Sequence, residues 1–239
     1  MKIVEIEEIV ASGTSAELLA ADADAPHMRI ADHPLWRAAL AGELPADRLR
    51  ALILRVYPVV AGPGRYSFIA KIGVIDREDG THLFDRLYRV THDAKSDADS
   101  GWRRMGEALG IPGDDMAAAL DDPSPEARDL VDSVRLHGEQ SGAPQAAGVA
   151  WVLERQMPAL MGALADALRD HYGVPENALS YLRAEAARGD EVGDWIAHLI
   201  EKYFMTADSY TVFEARRAMR EAGWAWTALT EAGRDCMVV

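Results

Sequence analysis

An almost continuous helical pattern is the feature of this chain that most constrains its fold. Alanine and leucine are abundant, alternating β-branched residues are almost absent, and apolar residues recur at helical spacing. Ser124 and Pro125 are typical of a helix start, and Gly110 and Gly173 are typical of helix ends. The pattern predicts an all-α fold, a single-domain helical bundle over residues 1–239.

The expected helices are joined by short connections, and no linker, repeat or low-complexity block interrupts them. The last three are the longest, so we expect them to pack as antiparallel neighbours. The predicted ranges are 15–22, 33–42, 46–60, 64–75, 81–93, 99–109, 114–120, 125–137, 145–171, 176–203 and 207–231.

Composition narrows the class of protein. The chain has 239 residues and a net charge of −14, a surface that repels nucleic acid and anionic lipid. No apolar run approaches the ~20 residues of a membrane span, and no signal peptide is evident, so we expect a cytoplasmic protein without membrane or nucleic-acid partners. The single cysteine, Cys236, excludes an intramolecular disulfide and a multi-cysteine metal site.

Two carboxylates occupy apolar faces of long C-terminal helices, and Glu154 is the first. It shares its face with Ala150, Met157 and Met161. A buried carboxylate is costly unless it is paired, protonated or bound to a metal. Glu154 is therefore either a boundary residue paired with an arginine such as Arg155, or a metal ligand or general acid/base.

Glu185 is the second such carboxylate and has Tyr181 on its face, although the surrounding segment is more polar. One interpretation is local neutralisation by Arg188, and the other is a functional role like that of the first carboxylate. Gly189, inside the same predicted helix, costs ~1 kcal/mol relative to alanine. It therefore indicates close helix approach or space for a ligand.

Other candidates lie nearer the N-terminus. His92 ends a predicted helix, where a histidine is often a helix-dipole partner or a solvated residue; its functional alternative is general acid/base catalysis. Tyr57, Arg65 and Tyr66 lie near the Gly-Pro-Gly break at 62–64, which lets two helices line a cavity, although tyrosine at such positions is usually core. No phosphate-binding loop, nucleophile elbow or H-E-x-x-H motif occurs.

Over residues 30–230 the chain resembles the haem-oxygenase-like helical superfamily. That group includes pyrroloquinoline-quinone synthase, the thiaminase-II proteins and the haem-oxygenase-like di-iron oxidases and oxygenases. The resemblance rests on HPLWRAALAGELPADRLRALILRVYP, on YRVTHDAKSDADSGWRRMGEALGI, and on the order and spacing of the Glu154 and Glu185 helices. It implies a haem-oxygenase-like fold, a small-molecule substrate and a homodimer.

Di-iron members carry Glu and His seven positions apart, then Glu on the next long helix, then His-x3-Asp-x2-His. By position, Glu154 matches the middle glutamate, and Asp93 and Glu185 replace two other ligands. The resemblance therefore implies that a bound metal would be iron held by these three carboxylates, and not a conventional di-iron centre. The lost ligand positions are Ser100, Gly189 and Val192.

The quinone-cofactor synthase is similar around RVTHD, which contains His92, and around Arg55-Val56-Tyr57. That enzyme uses O2 without metal or organic cofactor. Met161 stands where one of its pocket histidines is expected, so the same substrate is disfavoured. Thiaminase-II proteins use a cysteine nucleophile, and the position of Cys236 disfavours thiamine hydrolysis.

The leading hypothesis is an oxidase- or oxygenase-like enzyme of specialised-metabolite biosynthesis, with a small-molecule substrate, O2, and either no cofactor or iron. One alternative is a metalloenzyme with a rebuilt mono- or di-iron ligand set. The other is a non-catalytic ligand-binding or accessory member whose original site has decayed, and a pocket packed shut by Val192, Met157 and Met161 would distinguish it. The expected catalytic residues are His92, Glu154 and Glu185; the expected substrate-binding residues are Arg55, Tyr57, Tyr66, Met161 and Tyr181; the expected metal ligands are Asp93, Glu154 and Glu185.

Overall fold

The structure is a computed structural model in which the described residues form helices joined by short turns. No residue in the described part of the chain belongs to a β-strand, as the sequence predicts. None of the helices described combines the length and apolar character needed to cross a membrane. The structure describes residues 15–25, 28–61, 98–137, 142–188, 193–194, 196 and 209–235.

The α-helices match most of the predicted ranges to within a few residues. The predicted helices 64–75 and 81–93 lie outside the described residues. The predicted helix 176–203 begins with a 3-10 turn, Glu176–Ala178, before the α-helix starts at Ser180. The helices are α1 Ser15–Ala23, α2 Pro34–Leu40, α3 Ala46–Ala61, α4 98–108, α5 Gly113–Asp121, α6 Pro125–Arg135, α7 Ala143–Glu154, α8 Met157–Tyr172, α9 Ser180–Arg188 and α10 Ser209–Asp235.

Local signals set the helix ends. Ser124 caps α6, since its Oγ accepts a hydrogen bond from the backbone N–H of Ala127 at 3.3 Å, and Pro125 follows as the first helical residue. Gly173 ends α8 with a left-handed backbone (φ 68°), a conformation that other residues adopt at a cost. These ends confirm the corresponding signals in the sequence.

Helix α7 is the central helix of the bundle. Every residue from 146 to 154 is buried, and the helix packs mainly against α10. A helix that is apolar all round is stable only when it is surrounded by protein. The close approach of α10 depends on Gly148, because a Cβ there would lie 3.0 Å from the carbonyl carbon of Ala215 and closer still to its oxygen.

The outer helices α8 and α9 are antiparallel neighbours. Arg183 forms an ion pair with Asp166 at 2.8 Å, and Ala186, later in α9, faces Gly162, earlier in α8. The two helices therefore run in opposite directions along their contact, as predicted for neighbouring C-terminal helices.

Candidate functional site

A proline divides the predicted helix 145–171 into two. α7 ends at Glu154 and α8 begins at Met157, so the prediction of one continuous helix is wrong. Pro158 supplies the physical reason: it has no amide hydrogen, and in a continuous helix its ring would collide with the carbonyl four residues earlier, that of Glu154. Glu154 therefore lies at the C-terminal end of α7 and not within a long helix.

Glu154 is the only charged residue of α7, and it is 1% exposed. Burial of this carboxylate is confirmed. The carbonyl groups at the C-terminal end of a helix carry partial negative charge, so a carboxylate there is stabilised by a neighbouring positive charge or by a proton. Glu154 has an interaction partner in the structure. Its surroundings favour a cationic group beside it.

Glu185 on α9 is the second buried carboxylate and is 3% exposed. Its neighbour Ala186 faces α8, where a Cβ at Gly162 would lie 3.2 Å from the Ala186 Cβ. α8 packs closely against α9 and follows directly after α7, so it connects the helices that carry Glu154 and Glu185. Glu185 also has an interaction partner.

Tyr181, one turn before Glu185, is buried where α9 meets α4. A Cβ at Gly101 would lie 3.6 Å from the Tyr181 Cα and closer still to its Cβ. Glycine at this position therefore permits the two helices to approach closely, and it fixes the position of the tyrosine. The substrate-binding role of Tyr181 stays a prediction.

The interior contains a narrow apolar space, which we call the interior space. Its free volume is about 10 Å³, which is room for about one water molecule. The non-catalytic hypothesis expects a pocket that is filled by side chains such as Met157 and Met161, and both are buried. The third residue of that hypothesis, Val192, lies outside the described residues. The residues that line the interior space are Val59, Val60, Val131, Val134, Leu153, Met157 and Trp226.

Tyr57 joins α3 to α4 through a polar cluster. Its hydroxyl donates a hydrogen bond to Asp99, the same carboxylate accepts from Arg103 Nε at 2.9 Å, and the Arg103 guanidinium lies 5.6 Å from the centre of the tyrosine ring. Burial, and then the hydrogen bond to Asp99, raise the pKa of Tyr57 above its ordinary value. Tyr57 is thus held as a neutral hydrogen-bond donor.

Arg55 joins α3 to α6. Its Nη1 donates to Glu126 Oε2 at 3.2 Å, and the side chain is largely buried. Neither Arg55 nor Tyr57 lines the interior space, which α3 borders through Val59 and Val60. The predicted substrate-binding roles of these two residues stay predictions.

Three predicted site residues, His92, Asp93 and Tyr66, lie outside the described residues. Within the described ranges, no group of three or more His, Cys, Asp or Glu side chains is arranged to hold a metal ion. Ser100, at one of the lost ligand positions, is exposed. Of the three expected metal ligands, the described residues thus include the buried carboxylates of Glu154 and Glu185 but do not complete an iron site, and we assign no reaction step to a metal.

Sequence reasoning missed a polar network on α10. Glu214 is buried and accepts a hydrogen bond from Arg217 Nη2 at 2.8 Å. The buried His137, just after α6, lies 3.1 Å from Glu221 through its Nε2. Charged residues three and four positions apart on α10 were a visible signal for such pairs. The burial of Glu214 and the contact with His137 depend on how the helices pack.

Comparison with solved structures identifies the architecture as the all-α, haem-oxygenase-like fold. A TenA homologue from Pseudomonas syringae pv. tomato str. DC3000 has a TM-score of 0.76 at 16% sequence identity, over 96% of this chain and 96% of that protein. A TenA homologue from P. horikoshii OT3 has a TM-score of 0.65 at 12% identity, over 92% and 98%. No family model and no curated protein matches the sequence. At these identities the likeness establishes the fold alone.

Proposed function

We propose that this protein is an oxidase- or oxygenase-like enzyme of small-molecule metabolism that binds an organic cation inside the bundle and oxidises it with O2. The burial of Glu154 carries the proposal. A carboxylate at the C-terminal end of an otherwise uncharged central helix destabilises the fold unless a cation or proton balances it. Groups of this kind are concentrated at functional sites, where stability is lost in exchange for chemistry.

In this proposal the two buried carboxylates, Glu154 and Glu185, orient the cationic group of the substrate. His92 exchanges the proton that oxidation releases. A homodimer and a role in specialised-metabolite biosynthesis belong to the same proposal. The residues proposed to contact the rest of the substrate are Arg55, Tyr57, Tyr66, Met161 and Tyr181.

Substrate binding requires the interior space to enlarge. The space is nearly filled, and Met157 is the most adaptable of its lining side chains, because methionine is unbranched and has three rotatable bonds. We propose that Met157 changes rotamer when the substrate enters. The same movement would bring an organic cation next to the C-terminal end of α7.

The first experiment asks whether iron takes part. Protein from iron-supplemented cells is analysed for metal, titrated anaerobically with Fe(II), and given a pulse of O2 while its absorption is recorded. An O2-dependent absorption band in the wild type and in Glu107→Gln, but not in Glu154→Gln, would support oxidation of the substrate at an iron site that includes Glu154. Glu107 is an exposed glutamate of α4 and serves as the matched control.

The second experiment tests the substrate class without reference to metal. Thermal shift and an oxygen electrode compare 2-phenylethylamine and related amines with 3-phenylpropionate and related acids. The proposal predicts that amines stabilise the protein or promote O2 consumption, and that Glu154→Gln and Glu185→Gln remove the effect. Unchanged amine binding and O2 consumption in both variants would contradict the proposal.

A hydrolase of the thiaminase-II type is the second candidate, and the fold likeness to TenA homologues, which are thiaminase-II-like, favours it. The only cysteine, Cys236, follows α10 and lies outside the described residues. Incubation with thiamine, followed by chromatography of the products, tests this candidate. Cleavage that is lost in Cys236→Ser would replace oxidation by hydrolysis as the assigned reaction.

A further inference from the structure

A second and larger space lies on the outer face of α8; we call it the outer cleft. It lies between the 3-10 turn Ile30–Asp32, the α7–α8 junction and residues Gly193 and Asp194. Its volume is about 510 Å³, within the usual size range of small-molecule sites. No lining residue is shared with the interior space. The outer cleft is therefore a separate candidate site.

Gln156 fixes the wall of the outer cleft. Its Oε1 accepts from the backbone N–H of Ile30 at 2.8 Å, while its Nε2 donates to the carbonyls of Met28 at 3.0 Å and Val152 at 3.1 Å. Together these bonds determine the orientation of the amide and hold the segment before α2 against the α7–α8 junction. A wall held in this way needs little reorganisation when a ligand binds.

Arg29 provides an oriented positive group. Its Nε donates to the carbonyl of Asp24 at 2.9 Å, and its Nη1 is 3.6 Å from Asp32 Oδ2, beyond hydrogen-bond distance. The Nη atoms of Arg29 make no hydrogen bond in the described part of the structure. By contrast, Arg155 in the same cleft binds both carboxylate oxygens of Asp24, at 3.1 and 2.9 Å. Arg29 is therefore the cation that can bind the anionic group of a ligand.

Negative groups lie in the same cleft. Asp194 is exposed and makes no ion pair with any described residue, and Asp32 is only loosely paired with Arg29. The residues between the charged groups are small or apolar, and they would accommodate a short carbon chain. They are Ala31, Ala159, Leu160, Ala163 and Gly193.

We infer that the outer cleft binds a small amino acid-like zwitterion. Its carboxylate pairs with Arg29, its ammonium group pairs with Asp32 and Asp194, and its carbon chain lies on the alanine residues of α8. A simple anion is disfavoured because the cleft has more acidic than basic residues and the whole protein is strongly negative. This inference is independent of the proposed oxidation.

The test is a binding series in which the distance between the two charges varies. 4-Aminobutyrate and 6-aminohexanoate are titrated by calorimetry, together with butylamine, butyrate, hexylamine and hexanoate. At least one zwitterion is expected to bind about tenfold more tightly than the amine and the acid of equal length, because it makes two charge-assisted contacts. Equal or weaker binding of every zwitterion would overturn the inference.

Variants locate the binding. Arg29→Gln and Asp194→Asn are each expected to weaken it about tenfold, and Ala163→Leu to block it; Ala163 is exposed, so the larger side chain leaves the fold intact. Arg50→Gln is the matched control, because Arg50 also donates through Nε to a carbonyl, that of Ala46 at 3.2 Å, outside the cleft. Zwitterion binding that survives both Arg29→Gln and Ala163→Leu would overturn the assignment to this cleft.

Discussion

The interior space and the outer cleft share no lining residue and differ in size, polarity and enclosure. The interior space is apolar and holds about 10 Å³, whereas the outer cleft has charged walls and holds about 510 Å³. Side chains around the interior space are packed on all sides, and those around the cleft are partly in water. We therefore expect substitutions at the interior to change stability strongly, and substitutions at the cleft to change binding with little effect on stability.

Charged residues in the interior and around the outer cleft also differ in their contact with water. Glu154 is almost fully removed from water at the end of a central helix, so its charge is costly unless a partner or a proton balances it. Arg29 and Asp194 are hydrated, so their presence costs little and becomes informative only through their position around one cavity.

Gly148→Ala tests the packing of the central helix. The new Cβ would lie 3.0 Å from the carbonyl carbon of Ala215 and closer still to its oxygen, and both atoms belong to a backbone that is held within α10. We expect a loss of about 3 kcal/mol or more in the free energy of unfolding, measured by urea denaturation. Gly113→Ala is the control, because a Cβ there meets nothing within 4 Å. Equal stability of the two variants would show that α7 is not tightly enclosed.

Met157→Ala tests whether the Met157 side chain occupies a volume that an apolar ligand could otherwise fill. Removal of this buried side chain should reduce the free energy of unfolding by about 2 to 3 kcal/mol and leave a cavity. Indole should then raise the Tm of the variant more than that of the wild type, because an apolar cavity binds an apolar ligand. Met157→Leu, which conserves volume, should cost less than about 1.5 kcal/mol. A stable variant that does not bind indole would contradict the prediction.

Tyr57→Phe tests the polar cluster between α3 and α4. The pKa of Tyr57 is raised in the folded state, so the unfolded chain loses its phenol proton first as pH rises. The stabilisation that the Tyr57 phenol contributes is therefore fully present below pH ~10, the pKa of an unfolded tyrosine, and is lost as the pH rises above that value. The variant should be less stable by about 1 kcal/mol at neutral pH and should lose less stability above pH ~10 than the wild type. Urea denaturation over this range measures both effects, and Tyr210→Phe, at an exposed position, is the control.

The ion pair between Arg155 and Asp24 tests the wall of the outer cleft. Both side chains are partly exposed, so a double-mutant cycle with Arg155→Gln and Asp24→Asn should give a coupling of about 1 kcal/mol or less. Arg155 also lies 5.3 Å from the centre of the Trp151 ring, and its single substitution should therefore be the more costly one. A coupling above about 2 kcal/mol would show that this wall is as strongly held as the interior.

Sequence patterns predicted the helices because a buried helical face repeats about every 3.6 residues, and that period is visible without tertiary information. The same period placed Glu154 and Glu185 on apolar faces, and the structure confirms that both are buried. The sequence analysis missed the break before α8, although Pro158 was a signal for it because proline disfavours a continuous helix through Glu154. The roles of His92, Asp93 and Tyr66 remain predictions of the sequence.

Contacts between groups that are distant in the sequence depend on how the helices pack. Tyr57 finds Asp99, 42 residues away, and Gln156 bonds the chain at Ile30, 126 residues away, through the packing of helices that local pattern does not specify. The outer cleft exists for the same reason, since its charges come from three separated segments. The sequence pattern predicts most of the helices and the burial of Glu154 and Glu185, but not the burial of Glu214. Helix packing determined how much space remains beside Leu153 and Met157 and where the second cavity lies, because volume depends on side chains from every helix at once.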